Sequence, residues 1–506
     1  MLASARWRAA LLAVLILLAG YSVHCAARNT VATVNSDSLY LTAFLRDVLG
    51  RGVPFSSWHV QPAPAFFPDA PVFGALLWIL RGPVLASYVY ATLTLWLLGA
   101  GTARLARETG ASRRRALVAG LLATLVLALL GRYERQFTNV LFPAHHGSGV
   151  VVGLFLAAET LRLVRLGSWR RFLLMALVAA LTVAFDGAAL IHGVGPALAA
   201  LLAGALAGSP RAGGGLVALG VLSAAAPPFG RWCASRLAVQ VVYPAPHPSL
   251  EWSRLVTLLS LFPGRASYLP AMRAAASFWI FTLASSLVLL GLALSRRRSR
   301  VRGAMLFALA AACTLGILMS VAATGLVVHV RNVRYLLSGW VYPACFFSVA
   351  LVSLRRNLVM PFALGLAASV SLAILSVPPP TAGLPLEDEP LALRPAPVVC
   401  AASFLRQHDA TRGFASYWAA RQVSELAEPP LSLVPIYANG TPYAWLASDQ
   451  TLAWSPAPNE RFAVVALRVD LAAFAARYRE VARTSCPELE DVVIFENRPP
   501  SPNEVP

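Results

Sequence analysis

Three aspartates, Asp37, Asp47 and Asp69, fall in one polar and aromatic block, Asn35 to Asp69, between the first membrane-length apolar run and all later ones. Residues 1–377 hold only eight acidic side chains in all, so three in one short block are candidates for chemistry. A carboxylate backed by aromatic rings can act as general base toward a hydroxyl acceptor while Trp and Phe faces stack on a sugar ring. The block supplies Trp58 with His59 beside it, then Phe66-Phe67-Pro68-Asp69. A plainer role is open to both ends of the block, because Asp37 and Asp69 each occupy a position where an aspartate caps a helix N-terminus.

Further polar groups sit at the edges of apolar runs and could complete such a site. His145-His146-Gly147 opens the fourth run, Asp186 ends the fifth with His192 close behind, and Arg331 and Arg334-Tyr335 precede the tenth. A carboxylate at membrane depth costs about 2.5 to 3.5 kcal/mol on insertion scales, so Asp186 requires a partner, a cavity or the interface. Arginine suits a phosphate because its planar fork donates two hydrogen bonds and keeps its charge. Helix capping by His145 and His146 and snorkelling by Arg334 are the competing structural roles.

The elements that would position these groups follow from hydropathy and charge. Hydrophobic residues make up 58% and charged residues 13% of the 506, as expected of a polytopic membrane protein. Apolar spans near 9–27, 84–101, 116–131, 147–163, 172–189, 190–207, 215–230, 276–295, 303–323, 335–354 and 358–377 predict about eleven transmembrane helices. The net charge of +19 comes wholly from arginine, clustered in short runs between apolar segments. Those runs satisfy the positive-inside rule with the N-terminus cytoplasmic and everything after Val377 outside, and they speak against a nucleic-acid partner. Arginine-only basic usage with abundant alanine points to a GC-rich bacterium. The first span, preceded by Arg6 and Arg8, reads as an uncleaved anchor. Leu39 to Leu49 has the spacing of a helix lying on the bilayer surface, and Pro71 to Leu80 that of an interfacial or re-entrant helix.

The chain divides into a membrane domain over 1–377 with a long first outer loop (28–83), a linker over 378–398 and a small extracytoplasmic α/β domain over 399–506. In the last, 400–409, 416–426 and 471–482 read as helices, and 432–438, 462–469 and 491–496 as strands. Cys400 and Cys486 lie there, where an oxidising compartment would permit a disulfide, unless they are two packed thiols. Metal-ligand spacings such as C-x-x-C, phosphate-binding glycine loops, Ser-His-Asp signatures and internal repeats are all missing from the sequence.

The order of these features resembles the GT-C superfamily of integral-membrane glycosyltransferases. The likeness rests on an Asp soon after the first span, a long outer loop with surface helices, Phe66-Phe67-Pro68-Asp69 before a short helix and a His at the fourth span. It continues in Arg334-Tyr335 and an outer C-terminal domain containing Ala415-Ser416-Tyr417-Trp418-Ala419-Ala420. The resemblance implies transfer of a sugar from a polyprenyl-phosphate carrier to a glycan, lipid or protein acceptor at the outer face of the membrane. It would make Asp37 the acid/base and Asp69 a second carboxylate for acceptor or a divalent cation. Arg334, with Arg331, would hold the lipid phosphate, while His145, His146 and Asp186 line the cavity. Many relatives carry adjacent acidic residues in the first loop, whereas Asp37 is followed by Ser38. That departure weakens metal dependence and leaves the base open between Asp37 and Asp69. Two other classes fit the same composition, a transporter of a lipid or polar solute and a catalytically inactive membrane scaffold.

Overall fold

The computed structural model describes residues 36–61, 63–133, 141–144, 146–241, 300–313, 338–353, 395–428, 430–487 and 489–498. His145, Arg331, Arg334 and Tyr335 lie outside the described residues, as do the expected spans at 9–27, 276–295 and 358–377.

The first outer loop opens with helix α1 (Ser36–Leu45), continued by a π-helical turn over Arg46–Gly50. Leu39, Tyr40, Leu41, Ala43 and Phe44 are all buried, so this helix is a core element and not one lying on a bilayer surface as its spacing predicted. Apolar side chains cover its whole circumference, and such a helix is enclosed on all sides. Strand β1 (Trp58–Val60) follows, and then α2 (Asp69–Leu80), which Arg81 ends in the left-handed conformation at φ 54°. Pro83 then opens α3 (Pro83–Glu108) at the first helical position, where its missing N–H is harmless.

A helical body follows, made of α4 (Arg113–Tyr133), α5 (Gly147–Leu166), α6 (Trp169–Phe185), a π-helical turn over Leu190–Val194, α7 (Gly195–Leu206) and α8 (Pro210–Arg236). After the short strand β2 (Gln240–Val241) it is completed by α9 (Arg300–Ala311) and α10 (Ser338–Ser353). One continuous apolar core joins α3 to α10. Between α5 and the second π turn, a Cβ on Gly153 would lie 2.6 Å from the Cα of Gly193, so only glycine lets these backbones meet.

The expectation of about eleven transmembrane helices, and with it the polytopic architecture, is overturned. Among the described residues only α3 and α8 are long and apolar enough to cross a membrane. A hydropathy window counts apolar side chains without seeing where helices stop, whereas a crossing takes about 20 residues of unbroken helix. The run at 172–189 is a 17-residue helix ending at Phe185, and the run at 190–207 is a five-residue π turn plus a 12-residue helix. The runs at 303–323 and 335–354 extend beyond the described residues of α9 and α10. Helix α5 carries Glu159, Arg162 and Arg165 within its length, and α4 starts on three arginines.

The C-terminal unit runs through α11 (Ala396–Gln407), β3 (Arg412–Ser416), α12 (Tyr417–Leu426), β4 (Ser432–Ile436), β5 (Ala447–Ser448) and α13 (Asp449–Leu452). It ends with β6 (Arg461–Val465), α14 (Leu471–Ala475), β7 (Arg479–Cys486) and β8 (Glu490–Glu496). Its five-stranded sheet has the order β4-β3-β6-β8-β7, with β3 parallel to β4 and β6 and the remaining pairs antiparallel. The helix predicted over 471–482 is a single short helix followed by a strand. Leu471, Phe474 and Tyr478 fit a helical period, but from Arg479 the backbone pairs with β8, and Tyr478 packs on Phe462 at 4.9 Å. Cys400 and Cys486 are joined by a disulfide that ties α11 to the end of β7.

This unit is fused to the first loop. Strand β1 pairs in parallel with β2 and antiparallel with β5, making a three-stranded sheet from distant parts of the chain. Leu39 is buried in the same cluster as Val423 and Leu433, and Tyr417 and Leu446 are buried with Tyr40, Phe44 and Trp58.

Candidate functional site

Asp37 lies in the first turn of α1, where that helix packs against α12. Its carboxylate is half-buried and accepts a hydrogen bond from the hydroxyl of Tyr417, the first residue of α12. The Tyr417 ring has Trp418 at 5.0 Å and Tyr443 at 4.9 Å, and Tyr443 in turn meets Tyr437 at 4.5 Å. Burial, the neighbouring Tyr437 and the Asp37 charge together raise the Tyr443 phenol above its ordinary pKa. It therefore stays a neutral hydroxyl, able to donate and accept hydrogen bonds, at every working pH.

A buried clamp holds this seam in register. Arg46, in the π turn after α1, donates two hydrogen bonds to Glu425 of α12, one of them at 2.8 Å. Arg421, one turn earlier in α12, lies 3.7 Å from the same carboxylate, donates to the Leu446 carbonyl at 3.0 Å and stacks 5.5 Å above the Trp58 ring. Two guanidinium groups on one carboxylate, with little water nearby, fix α12 relative to α1 far more firmly than an exposed pair would.

Asp69 has a different environment. It is 1% exposed; Oδ1 accepts from the Tyr90 hydroxyl at 2.7 Å and Oδ2 from the Ala144 backbone N–H at 2.8 Å. The carboxylate thus bonds α3 and the segment before α5, and does not cap α2, although Asp69 begins that helix. Burial raises its pKa against the pull of those hydrogen bonds. Nearby, Asp186 is buried with His146 Nδ1 at 2.8 Å and the Ala188 N–H at 3.1 Å on its Oδ1. His192 is buried beside them, its ring 6.5 Å from that of His146 and its carbonyl accepting from the Tyr342 hydroxyl. Tyr40 of α1 is fully buried with no hydrogen-bond partner for its hydroxyl among the described residues.

A cavity of about 800 Å³ opens between the first loop and the end of α8. Phe44, Leu45, Phe66, Phe185 and Trp232 form much of its apolar wall, and Arg236, whose guanidinium lies over the Trp232 ring, supplies a cation. Ala70 and Phe185 also line it, each adjacent in sequence to one of the buried aspartates. Arg236 is thus the charged side chain in an otherwise apolar lining.

The sequence candidates are thus separated into three places. Asp37 stands at the seam, Asp69, His146 and Asp186 gather in the buried cluster, and Trp58 and His59 belong to the three-stranded sheet. Trp58 is fully buried beneath Arg421 and has no face left for a sugar, and His59 Nε2 lies 2.7 Å from Asp449 Oδ1. The seam aromatics Tyr437 and Tyr443 and the cavity residue Arg236 carried no signal in local spacing. Tyr417 and Trp418 were visible only as part of an unassigned motif. Among the described residues no group of three or more His, Cys, Asp or Glu side chains is arranged to hold a metal ion. Neither a protein-family model nor a curated protein matches the chain.

Proposed function

We propose that this protein is a glycosyltransferase that moves a sugar from a polyprenyl-phosphate carrier to an acceptor at the outer face of a bacterial cytoplasmic membrane. The observation that carries the reading is the two-ended character of α1. Its first turn presents Asp37 at a partly open, aromatic seam, and seven residues later Phe44 and Leu45 line the apolar cavity. That separation is about 10 Å along the helix axis, a span that a phosphosugar headgroup covers. The reading requires that a lipid tail in the cavity leave its sugar beside Asp37.

In this reaction the Asp37 carboxylate takes the proton of the acceptor hydroxyl as that oxygen bonds to the anomeric carbon. The bond from the anomeric carbon to the phosphate oxygen breaks, and its electron pair leaves on the polyprenyl phosphate. Tyr417 orients Asp37 through its hydrogen bond and is a positioning residue. Arg236 would neutralise the departing phosphate. Asp69 is a poor choice of base, because both its oxygens are engaged and no acceptor hydroxyl can approach it. The Cys400–Cys486 disulfide supports an oxidising compartment for the C-terminal unit, and α3 and α8 supply apolar length for anchoring.

Mass spectrometry of lipid-linked sugars in a strain lacking the gene tests the reading. An accumulated polyprenyl-phosphate sugar, cleared by the wild-type gene, is the expected result. An unchanged lipid-linked pool and unchanged surface glycans would contradict it.

A further inference from the structure

Large aromatic side chains at a surface are normally turned inward or covered, yet Tyr437 is 51% and Trp418 41% exposed, both joined through ring contacts to Tyr417 and Tyr443 beside Asp37. The backbone holds this group in place. Tyr437 N–H donates to the Thr441 carbonyl at 2.8 Å, Gly440 N–H to the Tyr437 carbonyl at 3.0 Å, and Tyr443 N–H to the Pro435 carbonyl at 2.8 Å. Gly440 takes φ +81°, and a Cβ there would meet the Phe474 ring at 3.3 Å, so the turn that pairs the two tyrosines depends on this glycine.

Open ring faces, phenolic hydroxyls and a carboxylate in one preorganised patch match the two chemistries of a sugar ring, an apolar C–H face and a rim of hydroxyls. A hydrocarbon chain gains little there, since no wall encloses it as the cavity's does. We infer that Trp418, Tyr437 and Tyr443 form a carbohydrate-binding platform, and that the acceptor presented to Asp37 is a sugar hydroxyl. This deepens the glycosyl-transfer reading, which it rests on for the role of Asp37. It also moves the stacking surface from the first loop, where Trp58 is enclosed, to the C-terminal unit.

The test is saturation-transfer NMR on the full chain in lipid nanodiscs, without donor, against neutral oligosaccharides of glucose, galactose, mannose, arabinose and N-acetylglucosamine. At least one is expected to bind, with Tyr437→Ala and Trp418→Ala each weakening it about tenfold and Tyr437→Phe retaining it. Both changes are at exposed positions and leave folding intact. Absence of binding by every sugar, or binding indifferent to both alanine variants, overturns the platform. Enzymatic transfer onto a lipid or protein hydroxyl would overturn it too while leaving the glycosyl-transfer reading in place. Sugar binding lost in these variants, in a protein that transfers nothing, would keep the platform and sink the reaction.

Discussion

The seam around Asp37 and the buried cluster around Asp69 contain the same kinds of side chain, a carboxylate met by a tyrosine hydroxyl, and differ in what surrounds them. At Asp69 the second oxygen is taken by a backbone N–H and the side chain is closed off from water. At Asp37 the bonded Tyr417 is buried, but Trp418, Tyr437 and Tyr443 beyond it stay partly open. The first arrangement binds elements of the fold together, and the second has room for a substrate. Carboxylates that look alike in sequence are thus sorted into structure and chemistry by accessibility.

The largest losses of stability are expected from the internally bonded groups. Glu425→Ala leaves the buried Arg421 and the half-buried Arg46 without their shared carboxylate and should destabilise the fold by about 3–5 kcal/mol, read as a lowered denaturation midpoint and greater protease sensitivity at α12. Next, Asp69→Ala orphans the Tyr90 hydroxyl and the Ala144 N–H, at about 1–3 kcal/mol for each unsatisfied group. Thermal unfolding of the solubilised protein measures this, and an unchanged midpoint would break the contrast. A smaller effect is expected at the cavity, where Arg236→Ala should lower kcat for a polyprenyl-phosphate sugar about tenfold, because the charge it neutralises develops as the phosphate departs.

The smallest effect is a pH slope. Burial raises the Asp69 pKa, so the folded protein holds that proton more tightly than the unfolded chain, whose carboxyl titrates near 3.9. Its contribution to stability is therefore complete below about pH 4 and declines as pH rises through the folded-state value. Denaturation midpoints across pH 4 to 8 should fall less steeply in Asp69→Asn than in the wild type.

Much of the site was legible in residue types, and little of its geometry. Scarce acids pointed to Asp37, Asp69 and Asp186, and the cost of a carboxylate at membrane depth left Asp186 requiring a partner, a cavity or the interface; the structure gives it a partner, His146. The division of labour among them was not readable. It depends on Tyr90, Ala144 and Tyr417, contacts made 21, 75 and 380 residues away. Hydropathy misjudged the fold for a related reason. Runs such as 190–207 are apolar throughout, but the π turn at Leu190–Val194 that breaks this one is set by packing against Gly149 and Gly153. Trp58 looked like a sugar platform because nothing local reveals that Arg421 covers it.

The most direct test compares Asp37→Asn with Asp69→Asn in a transfer assay using a radiolabelled polyprenyl-phosphate sugar, with rates normalised to folded protein. Loss of a general base predicts a rate about 10²- to 10⁴-fold lower for Asp37→Asn with an unchanged unfolding midpoint, and near wild-type turnover per folded molecule for Asp69→Asn. Full activity in Asp37→Asn, or abolished turnover in a well-folded Asp69→Asn, would contradict the assignment of chemistry to the seam.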